Sequence, residues 1–195
     1  FQAISYVVDV HRRVIQPATL MDFAIYEAFF PHLVAGPIVR AREFLPQLTT
    51  PRNPRTIPAG PAIFLIAGGL FKKVVLADFL ATRIVDPVFG SPEAHSALEV
   101  WVAIYAYAVQ IYCDFSAYTD IAIALAALLG FRFPPNFNQP YRAERLREFW
   151  QRWHITMSGF FRDYVYFGLG GSRHGNVYSN LYVTYIAIGL WHGLG

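Results

Sequence analysis

The most chemically suggestive residue of this 195-residue chain is His192, set in Gly189-Leu190-Trp191-His192-Gly193 at the end of an apolar stretch. Loss of hydration disfavours the charged imidazole, and a neutral imidazole at working pH is what a general base requires. The flanking glycines leave room for a substrate or a neighbouring helix, so a helix-packing histidine is the competing reading. A second histidine, His154, follows Arg152 and Trp153 and lies one helical turn before Ser158. It reads either as an active-site group or as a core histidine bonded to a backbone carbonyl or to Ser158. A third group, Asp114 and Asp120, sits in IYCDFSAYTDIAIALA among Tyr112, Ser116, Tyr118 and Thr119. So polar a cluster lines a cavity, or forms ion pairs with Lys72, Lys73 or an arginine, or is satisfied by neighbouring hydroxyls and backbone.

Other chemistries lack their residues. No phosphate-cradling glycine loop ending in Lys-Ser/Thr occurs. The six histidines include no i, i+4 pair suited to a metal. Ser172 lacks the glycine two residues later that a nucleophile elbow needs, so Gly170–Gly175 reads as a flexible turn. The lone Cys113 excludes an internal disulfide and reads as a small core residue.

Composition says what must position these groups. The chain is 55% hydrophobic, 17% aromatic and only 15% charged, against about 25% charged in an ordinary soluble domain. Its mean hydropathy is +0.33. The net charge of +3 is small, and arginines gather in Arg12–Arg13, Arg40–Arg55 and Arg132–Arg173. In a chain this apolar, such clusters read as loops flanking membrane segments rather than a nucleic-acid surface.

The expected fold class is all-α membrane protein, with transmembrane, re-entrant and interfacial helices. Ala3–Val10 reads as the tail of a helix, and the whole chain as an internal fragment of a longer protein. Leu20–Val39 is apolar but broken by Asp22, Glu27 and two prolines, and Pro46–Pro58 reads as a linker. Ala59–Leu80 and Leu98–Phe131 are the expected crossings, joined by a polar turn at Asp86–Ser96. The second would reach roughly 50 Å as a helix, beyond a ~30 Å hydrocarbon core, so it must tilt, project into water or break, with Asp114–Asp120 the expected place of a break. Lys72 and Lys73 are the costly feature of the first crossing. Basic-residue bias puts the Arg40–Arg55 and Arg132–Arg173 stretches in the cytoplasm. Ala143–Phe161 is expected to form one interfacial amphipathic helix with Trp150, Trp153, His154, Met157 and Phe161 on its inner face. Tyr178–Trp191 is the last expected helix.

Six blocks, in order along nearly the whole chain, resemble the membrane-bound O-acyltransferase family. They are FQAISYVVDVHRR, Phe29–Leu48, Gly68–Ala81, Tyr112–Tyr141, Arg147–Gly175 and GLWHG. The likeness is greatest to the family's bacterial alginate O-acetylation branch. The resemblance implies helices around a tunnel joining the two membrane faces. His192 matches the catalytic histidine of the family's W-H-G block, and His154 a second one in its R-W-H-I block. Asp114, Ser116, Asp120, Trp150, Trp153, Ser158 and Trp191 are then candidate tunnel residues. One departure is Gly168, where the resemblance leads one to expect proline before Leu-Gly-Gly.

The resemblance further implies a multi-pass protein of the bacterial cytoplasmic (inner) membrane that binds no cofactor or metal. An acyl thioester, acetyl-CoA or an acyl carrier, would be the co-substrate. A polysaccharide such as alginate would be the acceptor, membrane lipid the surroundings, and exported accessory acetylation proteins the partners, with no role for nucleic acid. D-alanyl transfer to teichoic acid is the alternative within the family. Outside it stand a transporter of an acyl donor or lipid-linked sugar, and a purely structural membrane subunit.

Overall fold

The computed structural model describes residues 1–33 and 36–193, so Val34 and Ala35 of the Phe29–Leu48 block, and Leu194 and Gly195, lie outside the described residues. The described residues are helical and loop, without strands. They form two compact units: Phe1–Phe29, Pro37–Thr50 and Pro134–Gly195 in the first, Phe30–Gly36 and Pro51–Phe133 in the second.

In the first unit, α1 (Gln2–His11), α2 (Leu20–Ala28) and α3 (Ala41–Leu48) pack through the buried residues Tyr26, Val39, Ala41 and Phe44. The Tyr26 hydroxyl donates to the carbonyl of Val39 at 2.9 Å and lies 3.3 Å from the buried Ser5 hydroxyl of α1. The expected linker therefore starts late. Pro46 lies inside α3, whose burial of Ala41 and Phe44 carries the helix on to Leu48.

The expected helix Ala143–Phe161 is instead broken in two, α8 (Leu146–Arg152) and α9 (Ile155–Phe160). His154 stands at the break with φ +42°, so no single helical face carries Trp150, Trp153, His154, Met157 and Phe161. A π-helical turn, Phe161–Tyr166, extends α9, and Met157, Phe160 and Phe161 form a second buried cluster against Phe1, Tyr164 and Ile188.

The second unit is built on a long helical pair. In chain order, α4 (Ala59–Leu70), a π turn (Phe71–Ala77), α5 (Asp78–Leu80), another π turn (Ala81–Val85) and α6 (Asp86–Gly90) follow without interruption. The helix thus runs past Asp86, and the polar turn narrows to Ser91–Ser96. Ser96 then starts α7 (Ala97–Leu128) with a reciprocal cap: its hydroxyl accepts from the Glu99 amide at 3.4 Å, and the Glu99 carboxylate accepts from the Ser96 amide at 2.7 Å. The 32 residues of α7 rise roughly 48 Å. It is the one described helix long and apolar enough to cross a membrane.

Helix α7 does not break at Asp114–Asp120, because its carboxylates are satisfied from the facing helix. Lys72 pairs with Asp120 and donates to the Ser116 hydroxyl at 2.9 Å. Lys73 bridges Asp78 at 2.9 Å and Asp114 at 2.7 Å. Both lysines sit in the first π turn. Close approach is made possible by small residues: Ala103, Cys113, Ser116, Ala117 and Ala122 are buried on α7. A Cβ at Gly69 would lie 2.7 Å from the Ile121 side chain.

A charge in apolar surroundings is tolerable only with its partner. Lys72→Ala is therefore expected to destabilise by about 2 kcal/mol, a value reduced for the partial exposure of the pair. The exchange Lys72→Asp with Asp120→Lys should recover most of it. Thermal unfolding in detergent checks both. Equal loss in the single and the exchanged variants would show that pairing is not what matters.

Candidate active site

His192 ends α10 (Val177–His192). That helix begins at Asn176, whose side-chain oxygen accepts the Tyr178 and Ser179 amides at 2.9 and 3.3 Å. It ends at Gly193 with φ +102°, a conformation that suits glycine. The preceding glycine-rich segment is tied down rather than loose: the buried Asn180 amide donates to the carbonyls of Gly171 at 2.8 Å and His174 at 3.1 Å.

The Nδ1 atom of His192 lies 2.9 Å from the carbonyl oxygen of Ile188. A carbonyl can only accept, so Nδ1 carries the proton in the neutral ring and the lone pair is on Nε2. The side chain is exposed, which leaves Nε2 accessible. One turn of helix therefore sets the tautomer that a base needs.

His154 is held quite differently. It is 4% exposed, and its left-handed backbone is uncommon for a residue other than glycine. The loop after Pro134 clamps it on both sides. The Asn138 amide donates to the Arg152 carbonyl at 2.9 Å, and the Ile155 amide to the Asn136 carbonyl at 2.9 Å. The Asn136 side-chain oxygen also accepts the Thr156 hydroxyl at 2.8 Å and the Thr156 amide at 3.2 Å. Thr156 in turn accepts the Ile38 amide at 2.9 Å. Backbone strain of this kind costs about 1–3 kcal/mol and persists where its surroundings impose it.

Trp191 joins the two histidines. Its ring centroid is 6.4 Å from that of His154 and 4.5 Å from that of His192. Burial, and then positive charge on His192, pushes His154 down to about 4, so its imidazole is neutral at ordinary pH. The unfolded residue titrates near 6.5. Protonation then favours the unfolded chain: this contribution is intact above about pH 6.5 and falls by up to about 3 kcal/mol as pH drops through about 4. Unfolding of the detergent-solubilised protein between pH 7 and 4.5 should be steeply pH-dependent, and markedly less so in His154→Asn. Identical profiles would contradict a buried neutral His154.

Beside these segments lies a cleft of about 990 Å³, lined by residues from α3, α8, α9, the π turn and α10. Trp150 and Ser158 line it, together with Tyr166, Tyr185, Arg40, Arg42, Arg147 and Arg162. Ile155 and Thr156, which follow His154, and Ile188, which holds His192, also face it, whereas the two imidazoles are not among its lining groups.

Asp163 organises the basic wall. It pairs with Arg40, with Arg42 at 3.0 Å and with Arg162 at 2.7 Å. Burial alone would raise its carboxyl, but Arg162 and Arg40 outweigh that and hold it at about 2. A Cβ at Gly159 would meet the Arg40 guanidinium at 2.6 Å, so glycine there makes room for the arginine.

The remaining sequence candidates fall elsewhere. Trp153 packs with Phe137 and Phe149, at centroid distances of 5.0 and 5.6 Å. Asp114, Ser116 and Asp120 are engaged by Lys72 and Lys73 within the second unit. Asn136, Thr156 and Asp163 do not stand out in the sequence, and the cleft arginines read there only as basic stretches flanking membrane segments. The run Pro134-Pro135-Asn136 was the one available signal, since it stops a helix and leaves an amide side chain to bond backbone.

A sequence model of the MBOAT, membrane-bound O-acyltransferase family, matches residues 6–195. The chain is 44% identical to the "Probable alginate O-acetylase AlgI" of Pseudomonas putida, over 99% of this chain and 40% of that protein. It is 42% identical to the peptidoglycan O-acetyltransferase of Helicobacter pylori, over 90% of this chain and 34% of that protein. It is 27% identical to the teichoic acid D-alanyltransferase of Streptococcus thermophilus, over all of this chain and 50% of that protein. The chain thus spans about two-fifths of the length of the alginate O-acetylase it matches.

Proposed function

Because the chain belongs to the membrane-bound O-acyltransferase family, we propose that it carries the catalytic centre of a membrane-embedded acetyltransferase, as one segment of a single larger membrane domain. The donor is an acyl thioester, acetyl-CoA or an acylated carrier. The acceptor is a hydroxyl of an exported polysaccharide such as alginate. The matches to an alginate O-acetylase and a peptidoglycan O-acetyltransferase support acetyl transfer. D-alanyl transfer to teichoic acid rests on the more distant relative.

The observation that carries this reading is the Nδ1 contact of His192 with Ile188. Nε2 accepts the proton of the acceptor hydroxyl as its oxygen attacks the thioester carbonyl. The new C–O bond forms, the C–S bond breaks, and the proton passes from Nε2 to the departing thiolate. His154, buried and neutral, orients substrate through Trp191 or donates to developing charge. Helices around a tunnel would bring donor and acceptor to His192 from opposite faces of a bacterial inner membrane that the domain crosses several times. Exported accessory proteins would complete delivery to the polysaccharide.

The test separates chemistry from transport. Sealed membrane vesicles with the full-length protein receive labelled acetyl thioester on the cytoplasmic side and polysaccharide on the other. Label covalently attached to the acceptor is the expected result. Label that crosses without becoming attached would replace this reading with a transporter.

A further inference from the structure

Helix α9 starts without the residue that ordinarily caps a helix. The first amides of a helix have no intrahelical partners, and Ser, Thr, Asp or Asn at the preceding position usually accepts from them. Here that position is His154, left-handed and without a side-chain cap. Asn136 supplies the acceptors instead. Its carbonyl accepts the Ile155 amide at 2.9 Å and its side-chain oxygen the Thr156 amide at 3.2 Å. The Thr156 hydroxyl donates to that same oxygen at 2.8 Å and accepts the Ile38 amide at 2.9 Å. A residue from outside the helix thereby frees the His154 side chain from capping and fixes the backbone that carries it.

Two features of this junction work against stability. Among the described residues other than glycine, positive φ occurs at Gln139 and His154, which bound it, and otherwise only at Arg13. Asn136 is 1% exposed. A peptide N–H can only donate, so the Thr156 amide identifies its partner as the Asn136 oxygen, and the side-chain amide cannot be turned over. Its Nδ2 group is then buried without a hydrogen-bond partner among the described residues, which is unfavourable. A cap serving stability alone needs neither feature. Such strain persists where it holds a functional group in place.

On the acyl-transfer reading, with His154 taking part, we propose that Asn136 is a positioning residue for the reaction, with Thr156 as its link to Ile38. It sets the backbone of His154 and so the place of the imidazole beside Trp191 and His192. The ring centroids of His154 and Trp191 are 6.4 Å apart, and those of Trp191 and His192 4.5 Å. A shift of His154 therefore reaches the base through one indole. Displacement by about 1 Å at such a site lowers a rate by as much as about 100-fold.

The experiment is a double-mutant cycle on the full-length protein in membranes. Acetyl transfer gives kcat and KM, and the amplitude of a single-turnover burst gives the amount of competent protein. Thr156→Val keeps the shape and removes both hydroxyl bonds, whereas Thr156→Ser keeps both. Thr156→Val and Asn136→Ala should each lower kcat at least about tenfold with KM nearly unchanged. Thr156→Ser should retain most of the wild-type rate. His154→Ala should itself be slow, and adding Thr156→Val to it should slow transfer no further, because no imidazole is left to displace. Thr156→Cys weakens the bonds while keeping the shape, so it should be intermediate, and it takes the place of valine if that variant does not insert.

Full rate in Thr156→Val, or equal slowing by it with and without His154, would overturn the inference and leave acyl transfer intact. Equal slowing by serine and valine would do the same, since the hydroxyl would not matter. Fewer competent molecules at an unchanged rate would reduce Asn136 to a structural cap. Full rate in His154→Ala would leave no group to position and overturn the inference as well. Absence of transfer in the wild type would instead overturn the acyl-transfer reading beneath it.

Discussion

In the full-length protein, His192→Ala is expected to lower acyl transfer at least ~100-fold without changing the amount of protein in the membrane. General base catalysis contributes ~10²–10⁴-fold, and alanine removes the one accessible lone pair that the Ile188 contact leaves on Nε2. Folding should be nearly untouched, since the imidazole is exposed and its hydrogen bond lies within α10. His192→Asn is the informative companion. Its amide can still bond a carbonyl but takes no proton, so it should be as inactive as alanine. Activity within a few-fold of wild type in either variant would reduce His192 to a packing residue.

The second large effect is on stability. Asp163→Ala is expected to cost about 3 kcal/mol, because it strands the nearly buried Arg40 without its counter-charge and leaves Arg42 and Arg162 facing it. That is on the order of 100-fold in the folding equilibrium. If unpaired charge is the cause, Arg40→Met with Asp163→Leu should be much closer to wild type, since buried pairs are replaceable by well-packed apolar residues. Acid should reproduce part of the loss. Asp163 titrates at about 2 in the folded protein and near 3.9 when unfolded, so its contribution is present above about pH 4 and disappears as pH falls through 2. Thermal unfolding of the three proteins at pH 7 and pH 3 measures this. Matching stability of wild type and Asp163→Ala would show that the arginines need no carboxylate.

The start of α7 and both ends of α10 fall within a residue of where the sequence places them, because the signals there are local. Ser96 with Glu99 caps one, and Asn176 and Gly193 bound the other. Three features were not legible, because tertiary bonds decide them. Ala143–Phe161 has helical periodicity throughout, yet the Asn136 and Asn138 backbone bonds stop it at His154. Ion pairs of Asp114 and Asp120 with Lys72 and Lys73 were among the readings open to the sequence, but which reading holds was not legible, because those lysines lie more than 40 residues earlier. Asp163 sits in an aromatic run, and its partners Arg40 and Arg42 lie more than 120 residues earlier. Helical periodicity cannot report partners at that separation.

The most direct test of the central claim is a single-turnover measurement on full-length protein in membranes, with a labelled acetyl thioester bound to saturation before acceptor is added. In the wild type, label should pass to polysaccharide hydroxyls in one burst. In His192→Ala, donor should bind to the same extent and the burst should slow at least ~100-fold. An undiminished burst in His192→Ala would contradict the assignment of His192 as the base that drives acyl transfer.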